Sequence, residues 1–528
     1  MGVRFFVLNL LFAVLFGLLG LNLYHIQVQD GQNYFQKAQA RAQSEKNLSL
    51  KRGKVFFTDK NKNKIPAAIN KNYPIIYAVP KRIENISETA SKLSKLLDAD
   101  KKEITKELDN PESLFRLLVE KAKPELVSKV KNKKIDGVHI AERKYRFYPF
   151  KSLAAPLLGF VGVNKKHDSP TGLYGVERFY NKKLKSGQDI QLTVDRTLQA
   201  EAETALSKLI KEQDASGGSI LIQNPKSGKI LALAEKPSFN PNKYSEFPVS
   251  NYINDVVSHI YEPGSVFKPI TMSAGIDTGN ITPETTYFDR GKVTLNGETI
   301  ENWDGKARGK ITMTRVIEKS VNTGAVFAQN QIGNSTFLNY LEKFGFGKKT
   351  KIDLPFEVSG DLGNLKGKDA QEIDFATASF GQGVSVTPIQ LINAYSTIAN
   401  DGLLMRPYVR KKRGSYVRRR VISKDTANKV SRMMESAVEK AEVADIKGYR
   451  VAGKTGTAQI PNLKGGGYLD AYIHNFVGFA PVSNPKFTIL IKINKPSADL
   501  AGRTVVPAFK DLVQFTLNYY GIPPDDIE

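Results

Sequence analysis

The chain contains no cysteine, which excludes a disulfide framework, thiolate metal sites and a cysteine nucleophile. Histidine is scarce. The five residues at 25, 139, 167, 259 and 474 form no HExxH or other ligand spacing, so no catalytic metal is expected. There is no G-x-S-x-G elbow, and His259 is read as structural, so a Ser-His-Asp triad fits poorly. No long low-complexity tract is present, and no nucleic-acid-binding motif accompanies the net charge of +24. The lysines are spread along the whole chain, and that charge suits a lysine-rich proteome or attraction to an anionic lipid or polymer. The densest basic run, RKKRGSYVRRR at 410–420, reads as a solvated loop or hairpin.

What is present divides the 528 residues into several regions, in keeping with two to four domains. Residues 5–24, FFVLNLLFAVLFGLLGLNLY, carry no charge. As a helix at about 1.5 Å per residue this run spans about 30 Å, the thickness of a bilayer core. It lacks the small-residue exit of a cleaved signal peptide, so residues 1–25 are expected to be an uncleaved anchor. Arg4 and the amino terminus favour the inside, leaving the bulk of the chain outside the cytoplasm.

Residues 26–50 are polar and helix-prone. A strand–turn–strand unit is expected over 52–69, with its turn at Asp59–Lys62. Residues 85–131 read as helix-rich, with a helix starting near Ser87. Beyond about 193 the pattern changes to an amphipathic helix (TLQAEAETALSKLIKEQ), an apolar hairpin (GSILIQNPKSGKILALAE) and a mostly helical middle over 264–400. TPIQ at 387–390 is a capping box with proline at the first helical position. Three late strands and a helix over 503–519 complete an antiparallel sheet with helices on both faces, an α+β fold.

Three short motifs carry chemistry: Ser265-Val-Phe-Lys268, Ser320-Val-Asn322 and Lys454-Thr455-Gly456. Singly they are weak. S-x-x-K recurs at Ser128–Lys131 (an exposed helix face), S-x-N at Ser238–Asn240, and K-[S/T]-G at Lys185 and Lys226. In order and placement they form one set. A serine hydroxyl must pass its proton to a base to become a nucleophile. Lys268, three residues on in a helix opening at Ser265, can be that base only when neutral, through burial or a neighbouring cation. Lys454 is expected to be that cation. Ser320 and Asn322 suit a loop reaching into the site, Ser320 to relay a proton to a leaving amine and Asn322 to bind a substrate amide. Gly453 and Gly456 are expected to leave a strand edge bare for an added peptide strand. Thr455 and Thr457 would offer hydroxyls to a carboxylate, and the backbone N–H groups of Ser265 and Thr457 would form an oxyanion hole. Glu262 reads as a charge on the approach to the helix.

With these motifs, and with EPGSVFKPIT, KITMTRVIEKSVNTG, ASFGQGVSVTPIQLINAYSTIANDG and YRVAGKTGTAQ, the chain resembles a class B penicillin-binding protein, a membrane-anchored peptidoglycan D,D-transpeptidase. It is more similar to the cell-division branch than to the elongation branch. KRGKVFFTDKNK, RFYPF and GLYGVERFYN resemble the family's non-catalytic pedestal. The resemblance implies a pedestal (dimerisation-type) domain over 26–192 and a penicillin-binding/serine β-lactamase-like transpeptidase domain over 193–528. It implies acyl transfer through Ser265 on peptidoglycan stem peptides without metal or organic cofactor, β-lactams as covalent inhibitors, and localisation in the bacterial cytoplasmic membrane with the catalytic domain periplasmic. The partners implied are a multi-spanning glycosyltransferase and other division proteins, with no nucleic acid. Two departures stand out: the family's Asp-Arg-Asn-Gly turn is Asp59-Lys60-Asn61-Lys62 here, and the step from GVERFYNKKL to SGQDIQLTVD is short. A D,D-carboxypeptidase or β-lactamase using water as acceptor, and a catalytically silent division scaffold, remain alternatives on sequence alone.

Overall fold

The computed structural model describes residues 2–24, 52–163, 170–412, 414, 416–442, 444–462 and 465–526. The helix-prone stretch 26–50, His25 and His167 lie outside the described residues. The chain forms two compact units, one of residues 1–51 and 70–147, the other of 52–69 and 148–528.

Helix α1 (Gly2–Tyr24) is the apolar N-terminal run, and every described side chain on it is exposed. Among the described residues no helix is long and apolar enough to cross a membrane; α1 has described side chains without interruption only over 10–24. The expected strand–turn–strand is β1 (Val55–Thr58) pairing with the start of β2 (Ile65–Ala78). Its turn is closed by Lys62 N donating to Asp59 O at 2.9 Å.

In the first unit, α2 (Ile86–Leu97) starts close to the expected Ser87, with its cap two residues earlier. Asn85, not Ser87, caps it by accepting from the Glu88 N–H, the usual N-cap role of an asparagine oxygen. Helix α3 (Lys101–Leu108), strand β3 (Arg116–Val119), α4 (Pro124–Lys133) and β4 (Val138–Phe147) follow. The helix-rich stretch also contains a strand, because β3 pairs with β2, and such long-range pairing overrides local propensity. Ser128 and Lys131 sit exposed on α4. Ala78, Ala90, Leu93, Ile104 and Leu108 form this unit's small core.

In the second unit, β5 (Ile190–Asp195) runs parallel to β1 and leads into α5 (Arg196–Glu212), capped by the Asp195 carboxylate. The apolar hairpin is β6 (Gly217–Gln223) and β7 (Ile230–Lys236). The short helix α6 (Lys268–Asp277), α7 (Met313–Lys319), α8 (Asn322–Ile332), α9 (Asn334–Phe344) and α10 (Pro388–Ile398) make up the helical middle. That middle also holds two small strand pairs, 286–289 with 309–312 and 292–295 with 298–301. The second turns at Asn296-Gly297, both with positive φ, the Asn-Gly signature of a tight hairpin. The capping box of α10 is present as expected, Thr387 and Gln390 each bonding the other's backbone.

The basic run enters a hairpin, β8 (Leu403–Met405) with β9 (Val417–Arg420). Part of its charge is used internally: Arg419 donates to the carbonyls of Glu342 and Lys343 at the end of α9, where a cation is favourable.

The three late strands are β10 (Ala452–Pro461), β11 (Tyr468–Ala480) and β12 (Phe487–Asn494). They join the hairpin in one antiparallel sheet ordered β10-β11-β12-β6-β7, which leaves β10 on an edge. Side chains alternate across it. Ile220, Ile222, Phe476, Ile489 and Ile491 face α5 and the C-terminal helix α11 (Ala501–Tyr520), while Leu221, Leu233, Val477 and Leu490 face the helical middle. The expected α+β arrangement, one antiparallel sheet covered by helices on both faces, is what forms.

Candidate active site

Ser265 does not open an α-helix. Residues Gly264–Phe267 form a 3-10 turn, and α6 starts at Lys268. The reason is Pro269. In an α-helix its N–H would bond the Ser265 carbonyl, but proline has none, and the Lys268 N–H takes that carbonyl at the shorter i+3 spacing instead. The turn keeps Ser265 and Lys268 together, with Lys268 Nζ 2.9 Å from Ser265 Oγ. Around it, Tyr395 OH on α10 donates to Val266 O at 2.7 Å and Asn475 Nδ2 on β11 donates to Pro263 O at 3.1 Å.

Ser320 lies between α7 and α8 in the left-handed region, φ 55°. Its carbonyl accepts from Lys268 Nζ at 2.7 Å, and its Oγ lies 3.1 Å from that nitrogen. Asn322 starts α8, its Oδ1 accepting from Lys268 Nζ at 2.8 Å and its Nδ2 donating to Glu301 O at 2.9 Å. One N–H of that amide is left over. Lys454, on the edge strand β10, donates to Ser320 Oγ at 3.0 Å. The three motifs, far apart in the chain, therefore meet in one hydrogen-bonded row, Ser265–Lys268–Ser320–Lys454.

The electrostatics follow from what surrounds the two lysines. Lys268 is fully buried and Lys454 is 4% exposed, and neither has a carboxylate partner among the described residues. Burial, then the charge of Lys454, then that of Arg308 hold Lys268 well below the ordinary lysine range. Burial alone lowers Lys454 to about 7. Lys454 thus acts on Lys268 as expected, but second to desolvation, and Arg308 adds a contribution that no motif announced. The hydrogen bonds suit the neutral amine. Ser320 O and Asn322 Oδ1 can only accept, so they take its two N–H bonds and leave the lone pair for the Ser265 hydroxyl.

A second layer fixes the Ser-Val-Asn loop. Asn302 Oδ1 accepts from the Asn322 and Thr323 N–H groups, and its Nδ2 donates to the fully buried Asp289. Thr323 Oγ1 donates to the same carboxylate at 2.7 Å. Asp289 also lies 3.9 Å from Arg308, so the cation near Lys268 is itself tethered.

The glycines of β10 have a different reason from the one expected. A Cβ on Gly456 would meet Asn475 Oδ1 at 2.5 Å and Pro263 O at 2.9 Å, and one on Gly453 would meet the Phe476 ring at 2.4 Å. They permit close packing within the unit rather than baring the edge. Thr455 and Thr457 share one side of the strand. Lys454 Nζ reaches Thr455 Oγ1 at 3.4 Å, and Thr457 Oγ1 accepts from the Ala501 N–H at 3.2 Å, keeping its own proton for another acceptor. Glu262 is more than an approach charge. Buried and raised by desolvation, it accepts from the Gly383 N–H and from Tyr468 OH, both at 3.0 Å. His259 is exposed and is not the partner of Ser265.

Residues 218–514 match the penicillin-binding protein transpeptidase domain, and residues 49–219 the penicillin-binding protein dimerisation domain. A probable peptidoglycan D,D-transpeptidase, PbpC of Pseudomonas aeruginosa, is 30% identical across 99% of this chain and 96% of its own length. The peptidoglycan D,D-transpeptidase FtsI of Escherichia coli is 28% identical over 90% of this chain and 85% of its own. Among solved structures, a peptidoglycan synthetase from Bifidobacterium adolescentis superposes with a TM-score of 0.70 at 25% identity, covering 91% of this chain and 97% of that one. Two matched domains in this order, the second holding a buried serine–lysine site, place the chain among the class B penicillin-binding proteins, as a serine D,D-transpeptidase.

Proposed function

We propose that this protein cross-links peptidoglycan stem peptides through a Ser265 acyl-enzyme during septal wall synthesis. The observation that carries the chemistry is Lys268 Nζ, fully buried, 2.9 Å from Ser265 Oγ and without a carboxylate. In the first step Lys268 takes the Ser265 proton as Oγ attacks the carbonyl between the terminal D-Ala residues. The N–H groups of Ser265 and Thr457 receive the developing oxyanion. The proton passes from Lys268 through Ser320 Oγ, which lies within hydrogen-bond reach of both lysines, to the leaving D-Ala nitrogen as its C–N bond breaks. In the second step the amine of a neighbouring stem gives its proton back along the same row and takes the acyl group. Asn322 holds a donor-peptide amide with its spare N–H. Lys454, Thr455 and Thr457 draw the terminal carboxylate, with the substrate strand lying along the edge strand β10. β-Lactams stop at the acylated serine.

The same proposal places α1 across the bacterial cytoplasmic membrane, on the strength of the uncharged run 5–24. The catalytic domain (193–528) and its pedestal (26–192) then lie on the periplasmic side. Glycan strands come from a multi-spanning glycosyltransferase, and other division proteins recruit both. Labelling membranes with a fluorescent penicillin tests the core of this reading: wild type labels and Ser265→Ala does not. Given an added amine acceptor the product is a cross-linked peptide; release of free tetrapeptide alone would make the protein a hydrolase instead.

A further inference from the structure

Two features singled out in the sequence have no part in the acyl transfer: the Asp59–Lys62 turn and the basic run that begins at Arg410. They meet. A pocket of about 320 Å³ in the second unit is lined by Lys60, Lys62, Lys229, Lys411 and Lys486, one or two lysines each from the β1–β2 turn, the β6–β7 turn, the start of the basic run and the β11–β12 turn. All five are exposed, and none forms an ion pair among the described residues. Lys60 Nζ donates to Tyr519 O at 3.4 Å and lies 5.2 Å from the centre of the Tyr519 ring.

The two acids of the pocket are committed elsewhere. Asp59 accepts from the Asn63 backbone and side chain at 2.8 and 2.9 Å, and Asp195 caps α5 through the Thr197 and Leu198 N–H groups. The pocket therefore sets five lysines against two carboxylates, an excess of positive charge above a floor of Leu192, Leu231 and Ile522.

Lys62 shows that this charge comes at a cost to the fold. It occupies the left-handed region at φ 66°, where a Cβ is unfavourable and glycine is the ordinary residue. The set is all lysine with no arginine. Lysines act as mobile point charges, and a phosphate can accept from several of them at once through its separate oxygens. We propose that this pocket binds a phosphate or pyrophosphate ester, with the phosphate oxygens among the lysines and the ester group on the apolar floor. It is a site separate from Ser265 and independent of the acyl-transfer reading.

The test uses the full chain in detergent, titrated by calorimetry with inorganic pyrophosphate at constant ionic strength. Saturable one-to-one binding is expected, weakened about fivefold or more by Lys62→Gly and again by Lys229→Ala with Lys411→Ala. Lys62→Gly should at the same time raise the melting temperature, and penicillin labelling should stay as in wild type for each variant. A gain in stability joined to a loss of ligand is a pairing that a purely structural lysine does not produce. Equal binding of succinate, or pyrophosphate binding that ignores the lysines, would overturn the proposal, as would no saturable binding. Soluble glycerophosphodiesters and phosphatidylglycerol vesicles then separate the sources: a response confined to vesicles assigns a lipid headgroup, and binding of the soluble ester assigns a free one.

Discussion

Two of the places where the second unit buries a cation do opposite things with it. Near the start of the unit, Arg52 is 3% exposed and is answered by the fully buried Glu177. Its Nε donates to that carboxylate at 2.6 Å, and its other nitrogens to Asn181 Oδ1 and Glu177 O at 2.8 Å each. At the active site, Lys268 and Lys454 are buried as deeply, with only neutral acceptors around them. The arginine, held by that carboxylate, pins segments 125 residues apart. The lysines, denied a counter-charge, are both held below the ordinary lysine range by burial. Burial supplies rigidity or reactivity according to whether a carboxylate is present.

The sharpest way to break this contrast is Lys268→Met, which keeps the volume and removes the base. Acylation by a fluorescent penicillin should fall about a thousandfold, with no loss of melting temperature; labelling at the wild-type rate would refute the assignment. Arg52→Met should do the reverse, costing about 3–5 kcal/mol in urea unfolding because the buried Glu177 loses the cation that answers it. Adding Glu177→Leu should recover much of that loss, and acylation per folded molecule should stay at the wild-type level.

Gly456→Ala is a steric counterpart. Its Cβ would push on Pro263 O and Asn475 Oδ1, displacing the nucleophile turn, and acylation should drop about a hundredfold with a modest change in stability. A further effect concerns pH. Lys454 is lowered from its ordinary 10.5 to about 7, so between those values the unfolded chain holds a proton that the folded chain has released. Stability must then rise with pH across that window, by at most about 1.4 kcal/mol per pH unit. Lys454→Met should flatten the slope in urea titrations run at successive pH values.

How much of this was readable beforehand divides along the same physical line. The serine–lysine pair, the Ser-Val-Asn loop and the Lys-Thr-Gly strand were legible because each is a local motif whose residue types state their chemistry. The capping box of α10 was legible for the same reason, all its partners lying within four residues. Arg308, Asn302 and Asp289 were not, since nothing nearby in the chain shows that they converge on Ser320–Asn322. Tyr395 and Asn475 hold the nucleophile turn from elements 129 and 212 residues away. The 3-10 turn could have been read from Pro269, whose missing N–H leaves the Ser265 carbonyl to its neighbour. The glycines of β10 were noticed, but their purpose needed the knowledge of what lies against them.

Gly456 has a consequence beyond the fit it allows. Where Pro263 O and the bare Cα of Gly456 face one another, the side chains of Asn475 and Val266 close on the same spot. Any side chain at residue 456 would intrude there, so this wall of the cleft holds its shape only with glycine at that position. Escape from an acylating drug is therefore expected from the loops that govern arrival at the serine rather than from residue 456.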